Sequence, residues 1–420
     1  MRTPSSPHPV LPHTRRRQEL RTTFGLALGS AVSIGLARFA YGLLLPSMRD
    51  AMHWSLATAG AMNSANALGY LAGALVATPI ARRYGSSKTF VTSFAVTAAS
   101  LLATASSANL GILLSLRLLA GGFGAVCFIT GAGLVAQLGS NGAARRAAML
   151  LGIYFAGGGA GIVVSGLALP ALLDAAGTGP GWRWGWVMLG VLAVLALAAG
   201  MPAALAIADS PTPPGGDRRW PTRRLAPMLA CYGLFGAGYI AYVTFVVAFL
   251  KGEGAGTIET TGFWVALGLA ATTGGFAWAP MVARMRGGQG AATVLAVVTA
   301  GALLPLLSSS VAVAVLSAIL FGASFLAVVT AVTMVARRSL DQPHWTPAIA
   351  ALTVAFALGQ CAGPVLAGVL SDGPAGLRVG LGLSAGLLGL ASIVALAQRH
   401  HVAAAVTRSP TSPTAAHGRG

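Results

Sequence analysis

The chain has 420 residues and a mass of 42.0 kDa; 55% of its positions are hydrophobic, 9% are charged, and the mean hydropathy is +0.75. A soluble domain carries about 25% charged residues, so this composition excludes a soluble enzyme, a disordered regulator and a fibrous protein, and indicates an integral membrane protein. The net charge of +18 comes from basic residues set in short segments between apolar runs rather than along one stripe, which argues against a nucleic-acid surface.

A helix needs about 20 apolar residues to cross about 30 Å of hydrocarbon. In chain order the candidate spans are 24–48, 57–81, 89–107, 110–138, 147–171 and 184–207, then 226–250, 261–284, 292–308, 310–335, 346–370 and 377–398. The predicted fold is all-α and integral to the membrane. An N-terminal tail (1–23) precedes a six-helix bundle (24–207), and a Pro-, Gly- and Arg-rich linker (208–225) leads to a second bundle (226–398) and a tail (399–420). The first 23 residues are Pro- and Arg-rich without a short apolar core ending in a cleavage site, so they do not read as a signal peptide.

With the N-terminus inside, 21 of the 27 basic residues fall on one side of the membrane. They include Arg15, Arg16, Arg17, Arg145, Arg146, Arg337 and Arg338, with Arg2, Arg218, Arg219, Arg408 and Arg419 in the tails and linker. Only Arg49, Arg183, Lys251 and Arg378 fall on the other side. The positive-inside rule then puts both termini in the cytoplasm. Arg outnumbers Lys 25 to 2, which with the Ala and Gly load points to a GC-rich bacterial genome and so to a bacterial inner membrane.

The halves repeat each other. GLARFAY (Gly35–Tyr41) matches GLFGAGY (Gly233–Tyr239) at a spacing of 198, GAGIVVSG (Gly159–Gly166) matches CAGPVLAG (Cys361–Gly368) at 202, and Gly121 meets Gly322 at 201. Six-helix halves related by an axis along the membrane normal are the architecture of major facilitator transporters. The chain is similar to that superfamily over about residues 20–400, and GLARFAYGLLLPSM, YGLFGAGY and GQCAGPVLAG resemble its bacterial YbfB/YjiJ-type branch. RLLAGGFGA (Arg117–Ala125) resembles the superfamily's fourth-helix motif.

The loop ARRYGSSK departs from the pattern. Arg83, Gly85 and Lys88 fit the superfamily's gating motif, but Arg82 stands where an Asp is expected, and Arg284 does so in the second half. GGGAG (Gly157–Gly161) occupies the place of an antiporter Gly-Pro motif without its Pro. Neither charge-relay gating nor export is inferred from the resemblance.

None of the nine acidic residues lies deep in a predicted helix. Arg38 and Arg117 do, although a central Arg costs about 2.5–3.5 kcal/mol on insertion scales. Their positions put Arg38 about 15 Å and Arg117 about 11 Å from the outer ends of their helices. Similar depth would let both address one solute, and the guanidinium fork suits a carboxylate or phosphate. Bonding of helix carbonyls is the structural alternative for each. Further candidate solute contacts are Tyr41, Tyr239 and Tyr242, the polar stripe of Asn63, Asn66 and Tyr70, and Gln360. Interhelical packing accounts for each of these as well. Trp182, Trp184 and Trp186 read as an interfacial belt.

The expected function is secondary transport of a small organic anion by alternating access, with no enzyme activity. The alternative is a multidrug or lipophile exporter, an antiporter in which the arginines are structural. No cofactor or metal is expected: no GxxxxGK[ST] loop occurs, and Cys127, Cys231 and Cys361 lie far apart in apolar runs. The expected partners are a small-molecule substrate, the lipid bilayer and no nucleic acid; a coupling ion is left open, and the chain is expected to act as a monomer.

Overall fold

The computed structural model describes residues 12–139, 144–177, 179, 181–207, 221–374 and 376–399. Arg2, Asp209, Asp217, Arg218, Arg219, Arg408 and Arg419, with the linker residues 208–220, lie outside them. Twelve long helices run in chain order among the described residues. The first, α1, is continuous through three segments, Pro12–Ser30, Ala31–Phe39 and Tyr41–Met52. Then come α2 (Leu56–Tyr84), α3 (Ser86–Thr104), α4 (Leu110–Gly139), α5 (Ala144–Ala176) and α6 (Gly181–Leu205). The second half holds α7 (Ala226–Gly252), α8 (Thr257–Arg284), α9 (Gln289–Leu307), α10 (Val311–Ser339), α11 (Trp345–Ser371) and α12 (Leu377–Leu396).

The first helix begins at Pro12, ahead of the apolar span at 24–48. The charged run there is good helix-forming sequence, and Glu19 pairs with Arg146 at the start of α5, which ties the extension to the bundle. Eleven of the helices are long and apolar enough to cross a membrane; α3 falls short. Eight of its 19 residues are Ser or Thr. Their cost is reduced by bonding back to the helix itself: Thr97 to the Ser93 carbonyl at 2.8 Å, Ser100 to Val96 at 2.8 Å and Thr104 to Ser100 at 2.7 Å. So equipped, α3 packs against α4 and α6 as a full member of the bundle.

The repeat seen in the sequence is also a repeat of contacts. A side chain at Gly121 would strike the Asn66 carbonyl, and one at Gly322 would strike that of Leu267. Gly73 against Gly122 and Gly274 against Ala323 form a second such pair. The caps repeat too: the Asn109 side chain accepts from Ile112 N–H at 3.2 Å and that of Ser310 from Val313 N–H at 3.4 Å. Each residue in the first half of these pairs lies 201 positions before its counterpart. Thus α2 and α4 meet as α8 and α10 do.

The halves touch through α2 with α11, α5 with α8, and α1 with α7. The most apolar stretches of α1 and α7 are 83% and 89% buried, against half or less in the other spans. Large apolar side chains such as Leu75, Leu167, Leu195, Leu269 and Ile393 point outward from the other helices. A water-soluble surface rarely tolerates so extended an apolar area. These two helices therefore form the centre of the bundle.

Candidate functional site

The middle segment of α1, Ala31–Phe39, is π-helical, and at its end the Ala40 N–H bonds to the Gly35 carbonyl five residues back at 3.0 Å. Such wide turns are uncommon and concentrate at functional sites. Here the local reason is contact with α5: a Cβ on Gly35 would collide with the backbone of Gly161, and Gly157 and Gly161 in turn sit on the carbonyls of Ala27 and Ala31. The Gly-rich run of α5 thus lets α1 approach closely. Arg38 stands near the end of the widened segment.

Two polar clusters flank this point. The first surrounds Arg117 of α4, which is fully buried. Its Nη1 donates to the Ala37 carbonyl at 2.6 Å, Nε to the Met62 carbonyl at 3.4 Å and Nη2 to Asn63 Oδ1 at 3.4 Å. The rings of Tyr41 and Trp186 lie 5.1 and 5.4 Å from its guanidinium carbon. Asn66 donates to the Arg117 carbonyl at 3.2 Å, and Asn63 Nδ2 donates across the halves to Thr244 Oγ1 at 2.6 Å. All three guanidinium nitrogens are thus engaged with α1 and α2.

The second cluster surrounds Arg38, which is 4% exposed. Its guanidinium lies over the Tyr70 ring at 4.7 Å. Nε and Nη2 are buried and bond to no described residue. These two nitrogens form one edge of the planar group, the edge that binds a carboxylate or phosphate in parallel. Phe39, the next residue, packs on Phe325 of α10 at 5.5 Å, and Phe325 lies 6.0 Å from the Tyr239 ring of α7. Gln360 donates from Nε2 to the Tyr239 hydroxyl, while its Oε1 is buried without a bond to any described residue. No described carboxylate pairs with either arginine.

The structure therefore divides the residues singled out in the sequence. Arg38 lies with Tyr70 in the first half and Tyr239 with Gln360 in the second, the two pairs joined through Phe39 and Phe325. Arg117, Asn63 and Asn66 form the other cluster. The Tyr41 hydroxyl donates to the Ala59 carbonyl at 2.6 Å, and that of Tyr242 pairs with Ser317 Oγ at 2.6 Å, so both are engaged within their own half. In the α2–α3 loop Gly85 has φ +88 and ψ 145, a conformation suited to glycine, and ends α2 with its N–H on the Ala81 carbonyl at 2.9 Å. Arg83 lies 5.5 Å from the Tyr84 ring, and Lys88 is exposed.

Sequence reasoning missed two features. One is Thr244, the partner of Asn63 across the halves. The other is a wall of near-parallel rings in the second half: Tyr239 lies 5.5 Å from Phe356 at 9° and 6.0 Å from Phe325 at 10°. The i, i+3, i+4 spacing of Tyr232, Phe235, Tyr239 and Tyr242 on one helix was its visible signal. The tryptophan reading needs correction: Trp184 is exposed, but Trp182 and Trp186 are buried. Positions 182 and 186 share one helix face, which turns inward, and 184 lies on another.

The profile of a family described as "Uncharacterised MFS-type transporter YbfB" matches residues 30–396. The chain belongs to this family. It is a major facilitator transporter, a multi-pass membrane protein and not an enzyme. Solved transporters share its fold. A mutant of the nucleoside transporter NupG aligns with a TM-score of 0.72 at 11% identity, covering 90% of this chain and 99% of the other. A bacterial homologue of the human lysosomal transporter Spinster, inward-facing and unoccupied, aligns with a TM-score of 0.66 at 16% identity, covering 93% and 99%. No curated protein matches the sequence.

Proposed function

We propose that this member of the family carries a small organic anion across a bacterial inner membrane, its two halves rocking about a central site with both termini in the cytoplasm. The observation that carries the reading is the free Nε–Nη2 edge of Arg38, a buried charge without a counter-ion among the described residues. Burying an unpaired charge is costly, and a transported anion would offset that cost each time it binds. Tyr239 and Gln360 complete the contact from the second half. Arg117, with Asn63, Asn66 and Tyr41, holds the helices that present Arg38, and Tyr242 holds α7 to α10 in the second half.

A ligand panel on purified protein tests this by thermal shift, comparing wild type with Arg38→Gln. A solute at 100 times its Kd stabilises the native state by about 2.7 kcal/mol. Carboxylates or phosphates should raise the melting temperature of wild type and leave the variant unmoved. Equal shifts in both proteins from neutral lipophiles or cations, with none from anions, would instead favour a multidrug or lipophile exporter with structural arginines.

A further inference from the structure

Resting on the anion reading of Arg38, we infer that the site takes a planar aromatic carboxylate that also carries an O–H or N–H donor. Three observations converge on this. The first is the shape of the free edge: Nε and Nη2 lie in the guanidinium plane, which the Tyr70 ring covers on one face, so an incoming group meets the edge with two parallel bonds. A planar carboxylate satisfies both nitrogens at once.

The second is the orientation of the rings in the second half that adjoin α1 at Phe39. Phe235 lies 5.0 Å from Tyr239 at 22°, and Tyr239 in turn stacks on Phe325 and Phe356 within 10° of parallel. Edge-to-face contacts are as favourable as offset stacking in general, and the first half uses them, as in Phe90 with Phe94 at 82°. A common tilt over three helices is thus a property of this wall. It meets the first half where Phe39, the residue after Arg38, packs on Phe325 at 5.5 Å. A flat ring slid along such a wall stacks, whereas a puckered or branched chain gains less.

The third is Gln360. Its amide nitrogen is committed to Tyr239, which fixes the side chain and leaves Oε1 as a buried acceptor without a bond to any described residue. The first half thus offers donors, and the second half adds the Gln360 Oε1 acceptor beside the Tyr239 hydroxyl, which accepts from Gln360 and keeps its own proton to donate. A ligand with an anionic end and a donor satisfies both, and in doing so it bridges the two halves. Bridging of this kind lets binding energy draw the halves together.

Titration calorimetry on the full chain in detergent tests the inference with 3- and 4-hydroxybenzoate, their methoxy counterparts, benzoate and cyclohexanecarboxylate. At least one hydroxybenzoate should bind about tenfold or more tightly than its methoxy analogue, because that analogue leaves a buried acceptor unpaired. Benzoate should bind more tightly than cyclohexanecarboxylate. In Gln360→Leu the ratio of hydroxybenzoate to methoxybenzoate affinity should fall to about one, since the lost partner concerns one hydrogen bond. Cyclohexanecarboxylate binding as tightly as benzoate would overturn the aromatic assignment, and a hydroxyl preference that survives Gln360→Leu would overturn the role of Gln360. Loss of all carboxylate binding in Arg38→Gln would keep the anion reading intact in either case. Failure of every carboxylate in the set on wild type would overturn this inference, and the anion reading would fall with it only if the phosphates and other carboxylates of the thermal-shift panel also left wild type unmoved.

Discussion

Asp372, at the end of α11, accepts a hydrogen bond from the backbone N–H of Leu56 at 2.6 Å, and through its second oxygen one from Ala57 at 3.0 Å. Those two N–H groups open α2, so one carboxylate of the second half caps a helix of the first, 316 residues away. Helix N-termini have unpaired donors and a partial positive charge, and both favour an anion there. Beside it Gly368 presses on the Leu56 carbonyl and Gly60 on that of Pro364, so the backbones of α2 and α11 meet at this end of the molecule.

A cap of this kind contributes about 1–2 kcal/mol, which corresponds to a factor of about 5–30 in a two-state equilibrium. Asp372→Ala should therefore shift the population toward a form in which the two halves part at this face. Spin labels at Ala108 and Ser309, in a cysteine-free background, would report it as a longer distance component in double electron–electron resonance. Asp372→Asn, which retains an acceptor but no charge, should fall between wild type and alanine. Identical distance distributions in all three proteins would mean that the cap does not hold the halves together.

The two buried arginines should respond to substitution in opposite ways. Arg117 satisfies two backbone carbonyls and the Asn63 side chain, so Arg117→Ala leaves buried acceptors and a cavity behind. A loss of about 3–4 kcal/mol is expected, seen as a large drop in apparent melting temperature without ligand. Arg38→Gln removes an uncompensated buried charge and should leave the melting temperature unchanged or raise it, while abolishing anion binding. A strongly destabilised Arg38→Gln would show that this side chain holds helices, contrary to its assignment here.

The extent to which this was legible in the sequence follows from what each signal measures. Helix number and the halves were plain because a span of apolar residues is a one-dimensional pattern, and even the short turns read at 108–109 and 309 fell within the helix breaks at 105–109 and 308–310. Arg38 and Arg117 were visible as costly charges, but nothing along the chain distinguished them. What separates them is whether carbonyls of other helices reach the guanidinium, a fact of packing between α1, α2 and α4. Asp372 was legible only as one of nine acids lying outside the depth of the predicted helices, because its partners lie in the other half. The buried tryptophans show the same limit, since three residues at period two on a helix cannot all face one way.

The repeat makes a last prediction that tests the fold half against half. Gly121 and Gly322 occupy equivalent contacts, each under a carbonyl of the neighbouring helix that a methyl group would strike. Overpacking of this kind typically costs about 1–3 kcal/mol. Gly121→Ala and Gly322→Ala should therefore lower the apparent melting temperature by similar amounts, and the double variant should lose close to the sum, since the two sites lie in separate halves. Gly133, on α4 with no heavy atom within 4 Å of where its Cβ would stand, is the control. Gly133→Ala should leave the melting temperature unchanged or slightly raised, as alanine is the better helix former. If Gly121→Ala proved as harmless as Gly133→Ala while Gly322→Ala did not, the equivalence of the two halves at this contact would fail.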